Sequence, residues 1–335
     1  MAEKILAISV IVPMYNAENF IGECLTSLAN QTFKNFEVLV VDDCSTDNSV
    51  AVAKNFSKIF DDKLKIAKLS ANSGCPGIPR NFALEAARGQ YVYFLDSDDF
   101  LSETALEELY SVAENFNADV VHADWFITAQ NVGGKFEFKQ RSFQAGNFVD
   151  EPTLETFDIG ERVTGFIQKK FLWWVCNKLF HRKFLTENKI TFTEASIFED
   201  FVFAFECLVA AKNYVRVPFA NYCYRLREDS LSHETCDALD SSLTAIKIFD
   251  ALNKFMDSQK FFRDNPKYRH AVLDFFMQER LEVIAKKFFV KNNFSSADVF
   301  EFFREKIFSA KSVDTVALTA YLFDVCLKLK LEAEN

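Results

Sequence analysis

Over its first 125 residues the chain alternates short apolar runs with segments of helical period, and this alternation limits its folds more than any other feature. "ISVIVP" (8–13), "FEVLVVDD" (36–43), "LKIAKLS" (64–70) and "YVYFL" (91–95) read as buried strands. Between them, residues 19–30 carry Phe20, Cys24, Leu25 and Leu28 at helical spacing, and residues 48–60 and 79–87 form two more amphipathic stretches. Strands alternating with helices predict an α/β fold with a mostly parallel sheet covered on both faces. Such sheets bind ligands at the carboxyl ends of their strands. Polar clusters stand at those ends: "PMYN", "DDCSTD", "NSGCPG" and "DSDD".

The rest of the chain is less regular. "GGKFEFKQRSFQAGNF" reads as strands or a loop, "FLWWVCNKLFHRKFL" as a buried aromatic helix or strand, and from about residue 235 the helical period continues to the end. A length of 335 residues allows one large domain or two of medium size. The 39 phenylalanines favour a thick aromatic core or exposed apolar surface. A net charge of −10 argues against nucleic acid as a partner, because backbone phosphates need a basic face. The eight cysteines show no CxxC and no regular spacing, which fits reduced thiols in a cytosolic protein. No apolar run approaches the roughly 18 residues of a membrane span, so a cytoplasmic location is expected. A stripe of Leu273, Phe276, Met277, Leu281, Ile284 and Phe288 is edged by Lys286, Lys287 and Lys291. It reads either as a helix packed on the rest of the protein or as a basic amphipathic helix making peripheral contact with the inner face of a membrane.

The most demanding cluster is Asp96-Ser97-Asp98-Asp99. Carboxylates this close raise one another's pKa unless something positive stands between them. They must fan into water or hold a cation. Mn²⁺ or Mg²⁺ suits them, being a hard ion that takes carboxylate oxygens and completes its shell with substrate phosphates.

"SVIVPMYNAENFIGECLTSLANQTFKNFEVLVVDDCSTDNS", then "NSGCPGIPRN" and "GQYVYFLDSDDF", resembles the family-2 glycosyltransferases of the GT-A fold. The match is ordered and spans roughly residues 8–100, with weaker likeness in "NKLFHRKFL", "FEDFVFAFECL" and "YCYRLREDSLSH". The resemblance implies a UDP-sugar donor, a divalent metal and transfer with inversion to a hydroxyl of a glycan or lipid-linked acceptor in surface-polysaccharide or lipooligosaccharide synthesis. It implies a GT-A domain over 1–230, with a nucleotide-sugar-binding half (1–125) and an acceptor-side half (126–230), and a helical C-terminal region over 231–335. Carried over by position, Pro13 and Tyr15 would line the base pocket, Asp43 would accept from the base N3–H, and Glu18 would stand at the same pocket. Arg80 would offset diphosphate charge, although Pro79 replaces a more usual alanine beside it. Asp96 would reach the ribose or the metal, Ser97 would stand at the nucleotide-sugar site, and Asp98 would reach the metal itself. Asp42 and Asp47 read equally well as caps of the following turn and helix.

An inverting transfer needs a general base for the acceptor hydroxyl. Glu199 and Asp200 open a helical pattern, where the helix dipole favours ionised acids. The resemblance favours Asp200 as base and Glu199 as its helper, while first-turn acids are also common without any catalytic reason. His233 is a candidate third metal ligand, Arg225 and Arg227 are candidate diphosphate contacts, and Trp173 and Trp174 read either as acceptor-stacking rings or as core. Two other readings compete. A nucleotidyltransferase opens with a glycine-rich loop after its first strand, whereas here no glycine precedes Gly22. The other is a non-catalytic nucleotide-sugar-binding scaffold subunit that kept the fold, against which the intact set of Asp43, Asp98 and Asp200 speaks.

Overall fold

The computed structural model describes residues 6–132, 135–141, 148–227, 238–278, 295, 297, 301 and 304. The chain divides into two compact units, Met1–Phe192 with Phe203–Glu228 and Thr193–Val202 with Asp229–Asn335.

The first unit opens with β1 (Ile8–Met14), α1 (Ile21–Ala29), β2 (Phe36–Asp42), α2 (Ser49–Lys54), α3 (Ser57–Phe60), β3 (Leu64–Lys68), α4 (Gly77–Ala86) and β4 (Tyr91–Phe94). It continues with β5 (Phe100–Leu101), α5 (Ala105–Phe116), β6 (Val120–Ala123), β7 (Phe126–Val132), β8 (Lys135–Arg141), β9 (Thr153–Leu154) and α6 (Ile159–Ile167). Then come β10 (Lys178–His181), α7 (Arg182–Glu187), α8 (Glu199–Ala210), β11 (Tyr214–Val217) and β12 (Tyr222–Leu226). The eight-stranded sheet has the order β3-β2-β1-β4-β10-β6-β11-β9, and a four-stranded sheet the order β5-β12-β7-β8. The first four strands are mutually parallel, while β10 runs antiparallel to both its neighbours.

Every residue of β1, β2 and β4 is buried, which explains their mostly apolar runs, and the buried Ser9 and Glu37 that interrupt them bond to each other at 2.8 Å. Pro13 is tolerated inside β1 because its missing N–H falls on the β4 side, beyond the last pair Ile11↔Phe94. The stretch 48–60 is two short helices rather than one, and α4 begins at Gly77, earlier than its period suggests. Pro79 then sits in the first turn of α4, where no intrahelical N–H is lost. The segment that read as a helix or a strand is both in succession, β10 and then α7. At the far end of the large sheet, Arg216 on β11 is fully buried against Asp124 at 2.7 Å and Glu155 at 3.3 Å. Cys24, Cys44, Cys75, Cys176, Cys207 and Cys223 are all free thiols.

The second unit contains α9 (Ala238–Ser258), α10 (Lys260–Asp264) and α11 (Pro266–Phe276). Its interior is built from Ile248, Phe249, Leu252, Met256, Phe262, Leu273 and Phe276, with Phe201 against the rings of Phe275 and Phe276. The first turn of α8 belongs here and its remainder to the first unit. Leu273 and Phe276 of the predicted stripe are therefore core residues, and residues 281–291 lie outside the described residues. Among the described residues no helix is long and apolar enough to cross a membrane.

Candidate functional site

The loops that follow β1 and β2 are tied together residue by residue. Asn16, at φ 46°, donates its N–H to Ser45 Oγ and accepts from Thr46 N–H. Ala17 N–H donates to Ser49 Oγ at 2.7 Å. Glu18 N–H donates to Asp47 Oδ2, while Glu18 Oε2 accepts from both Asn48 N–H and Asn48 Nδ2. The Glu18 carboxylate is thus engaged in holding the second loop. Tyr15 stands out from this locked pair of loops, 49% exposed. Pro13 is buried within β1 opposite Val41.

The two acids of "VVDD" part company. Asp42 turns inward, accepting from Ser45 N–H and pairing with Lys68 at 3.2 Å, the turn-capping alternative. Asp43 faces the loop after β3, where Ser73 N–H and Ser73 Oγ donate to its two oxygens at 2.9 and 2.8 Å. Each carboxylate oxygen carries a second lone pair, so both can accept again. Asp47 likewise caps Ser49, at the start of α2.

At the end of β4, residues 96–99 make a turn closed by Asp99 N–H donating to Asp96 O at 3.1 Å. Asp96 Oδ1 meets Arg80 of α4 at 2.7 Å, and Arg80, 5% exposed, lies over the Phe192 ring. The aim of Arg80, left open by Pro79, is therefore onto Asp96. Asp98 Oδ2 pairs with Arg227 at 2.9 Å. Burial, and after it the Asp96 charge, push the Asp98 carboxyl above the usual carboxylate range. Asp99 is fully buried, accepting from Tyr222 O–H and from Arg225 N–H. Burial and its two acidic neighbours hold its carboxyl well above the ordinary value. Ser97, half-buried, occupies the middle of the turn.

Glu199 and Asp200 form the first turn of α8 and belong to the second unit, Glu199 buried and Asp200 half-buried. Tyr15, Asp43, Arg80, Asp96 and Asp98 all belong to the first. His233 lies outside the described residues. Trp174 packs against Phe126 and Tyr224 at ring distances of 5.0 and 5.7 Å, on the edge of the core. Ser73 and Tyr222 escaped the sequence reading. Ser73 lies in a cluster already marked as polar, but nothing local signals that Tyr222 of β12 meets an acid 123 residues away.

Carboxylate oxygens are the donors a hard divalent cation takes, and the 96–99 turn presents two of them. They stand either side of Ser97, Asp98 raised by burial and then by the Asp96 charge, and each is already paired with an arginine. Among the described residues no group of three His, Cys, Asp or Glu is gathered. An ion here would draw its remaining ligands from diphosphate oxygens and water.

The family profile for glycosyl transferase family 2 matches residues 9–180. A poly(ribitol-phosphate) beta-glucosyltransferase of Bacillus spizizenii is 33% identical over 229 residues, covering 67% of this chain and 33% of that protein. The poly(ribitol-phosphate) beta-N-acetylglucosaminyltransferase TarS of Staphylococcus aureus is 43% identical over 129 residues, 38% of this chain and 22% of its own. The chain thus spans about a third or less of the length of these relatives. Among solved structures, S. aureus TarS 1–349 in complex with UDP-GlcNAc superposes with a TM-score of 0.61 at 24% identity, over 98% of this chain and 91% of that one.

Proposed function

The chain belongs to glycosyl transferase family 2 and has the GT-A fold, and from that premise we propose that it moves a hexosyl or N-acetylhexosaminyl group from a UDP-sugar to an acceptor hydroxyl. The observation that carries this reading is topological. Asp43 with Ser73 stands at the end of β2 and the 96–99 turn at the end of β4, on either side of β1. A ligand with a base at one end and a diphosphate at the other would span that interval. The Tyr15 face would stack on uracil, and Asp43, oriented by Ser73, would accept from its N3–H. Pro13 would form the floor of that pocket, with Glu18 keeping its two loops closed.

Asp98 would hold Mn²⁺ or Mg²⁺, with Asp96 and Ser97 at the ion or the ribose and His233 the candidate further ligand. Bound there, the ion would neutralise charge on the departing diphosphate. Arg80 holds Asp96 in place, and Arg227 brings a cation to the same end of the site. Asp200 would take the proton from the acceptor hydroxyl, with Glu199 orienting the acceptor, and a single displacement would invert the anomeric centre. The relatives' names favour a polyol-phosphate polymer of the teichoic-acid type as acceptor over a lipooligosaccharide.

Calorimetric titration with UDP and with GDP, each with Mn²⁺ and then with EDTA, tests the reading. Binding of UDP but not GDP, strengthened by Mn²⁺, is the expected result. Binding of neither nucleotide would refute the donor site and leave a scaffold subunit as the better account.

A further inference from the structure

We infer that Arg225 is a positioning residue for Asp98, fixing the direction of that carboxylate by holding the main chain of the 96–99 turn. The inference rests on the reading of Asp98 as the acid that meets metal and diphosphate. From sequence, Arg225 and Arg227 are equivalent candidates for the diphosphate. The fold separates them. Arg227 faces the Asp98 carboxylate, whereas Arg225, 8% exposed, turns inward behind the turn.

Arg225 grips the turn at two points. Its Nε donates to the carbonyl oxygen of Asp98 at 2.7 Å, and its own N–H donates to Asp99 Oδ1 at 2.8 Å. The peptide between Asp98 and Asp99 is planar, so its carbonyl and amide turn together. Arg225 holds the carbonyl, while the amide donates to Asp96 O at 3.1 Å. Held at both ends, that plane resists rotation about the Asp98 Cα–C bond, which steadies the backbone from which the Asp98 side chain leaves the turn. A carboxylate aimed in advance needs no rearrangement when its ligand arrives.

The guanidinium is itself held on every side. Its far end meets the Glu23 carboxylate of α1. The rings of Phe20, Phe100 and Phe136 lie 5.4, 5.4 and 4.9 Å from its central carbon. These rings come from the loop before α1, from β5 and from β8, so three separate elements converge on one side chain. Enclosed cation–π contact and a sideways Nε–H suit a flat guanidinium and not a compact ammonium group. Lysine would keep the charge and lose the Nε–H and the flat fork that reaches the Asp98 carbonyl and the Glu23 carboxylate together.

The test uses the full chain, titrated with Mn²⁺ at saturating UDP and separately with UDP in EDTA. Arg225→Lys should raise the half-saturating Mn²⁺ concentration about ten-fold, or ~1.4 kcal/mol. UDP binding in EDTA should change by less than about two-fold, ~0.4 kcal/mol, because Asp43 at the base pocket is held by Ser73 of the loop after β3. A lowered melting temperature with an unchanged Mn²⁺ titration would overturn the inference and leave Arg225 as a stabilising residue only. If Arg225→Lys does not fold, Phe136→Leu removes one ring from the same guanidinium and should shift the titration the same way by about two- to three-fold. No shift in that variant overturns it equally. Asp98→Asn separates the two levels. Wild-type Mn²⁺ dependence surviving in that variant defeats the reading of Asp98 itself, and this inference with it.

Discussion

Glu206 on α8 offers a prediction that the structure sets in both sign and size. It is half-buried, and desolvation alone pushes its carboxyl up to about 7 from the usual 4.5. The native state therefore keeps this proton up to about pH 7, while the unfolded chain releases it near 4.5. Between those values the folded form binds more protons, so its stability falls as pH rises. The contribution is fully present below pH 4.5 and lost above 7. A rise of this size corresponds to about 3 kcal/mol at 1.36 kcal/mol per pH unit, and residual water access reduces it to about 2 kcal/mol. Glu206→Gln keeps the shape and helix propensity and removes the ionisation. Urea unfolding of both proteins at pH 5 and pH 8 gives the difference directly, because every other titrating group cancels. The three tryptophans, all in the first unit, report the transition by fluorescence. The variant should gain about 2 kcal/mol over wild type on going from the lower pH to the higher. A difference between the two proteins that stays constant across that range would mean that folding does not raise the Glu206 carboxyl.

Gly89→Ala should be severely destabilising. A Cβ there would stand 2.4 Å from Ser9 N, 2.6 Å from Ile8 C and 2.8 Å from Tyr91 O, all of them backbone atoms of β1 and β4. Strand separation of that kind should cost about 3 kcal/mol or more, read as a melting midpoint lowered by about 6 °C or more; an unchanged midpoint would contradict it. Asp200→Asn should leave UDP binding intact while sugar transfer drops about 10²–10⁴-fold, as for a lost general base. If Glu199→Gln gives that pattern instead, the base is Glu199.

Much of the first unit was legible because its signals are local. Runs such as "SVIVP" and "FEVLVV" announce strands buried on both faces, and the polar residues that end them lie where a parallel sheet binds ligands. Less legible was the splitting of 48–60, since a single period runs through a bend that no glycine or proline marks. The doubtful aromatic stretch became a strand followed by a helix because β10 fills the antiparallel place between β4 and β6, a long-range pairing.

By itself, the order of residues determined where the strands end and which acids gather there, because periodicity and composition report burial one segment at a time. Tertiary structure alone decided what those acids do. Adjacent Asp42 and Asp43 look alike in sequence, yet one pairs with Lys68 and the other is held by Ser73. Arg225 and Arg227 are two residues apart, yet one holds the backbone of the 96–99 turn and the other faces its carboxylate. Local pattern reports a side chain's burial, but its hydrogen-bond partner depends on register and loop closure across distances from about thirty to more than a hundred residues, and only the folded chain brings those atoms within bonding distance.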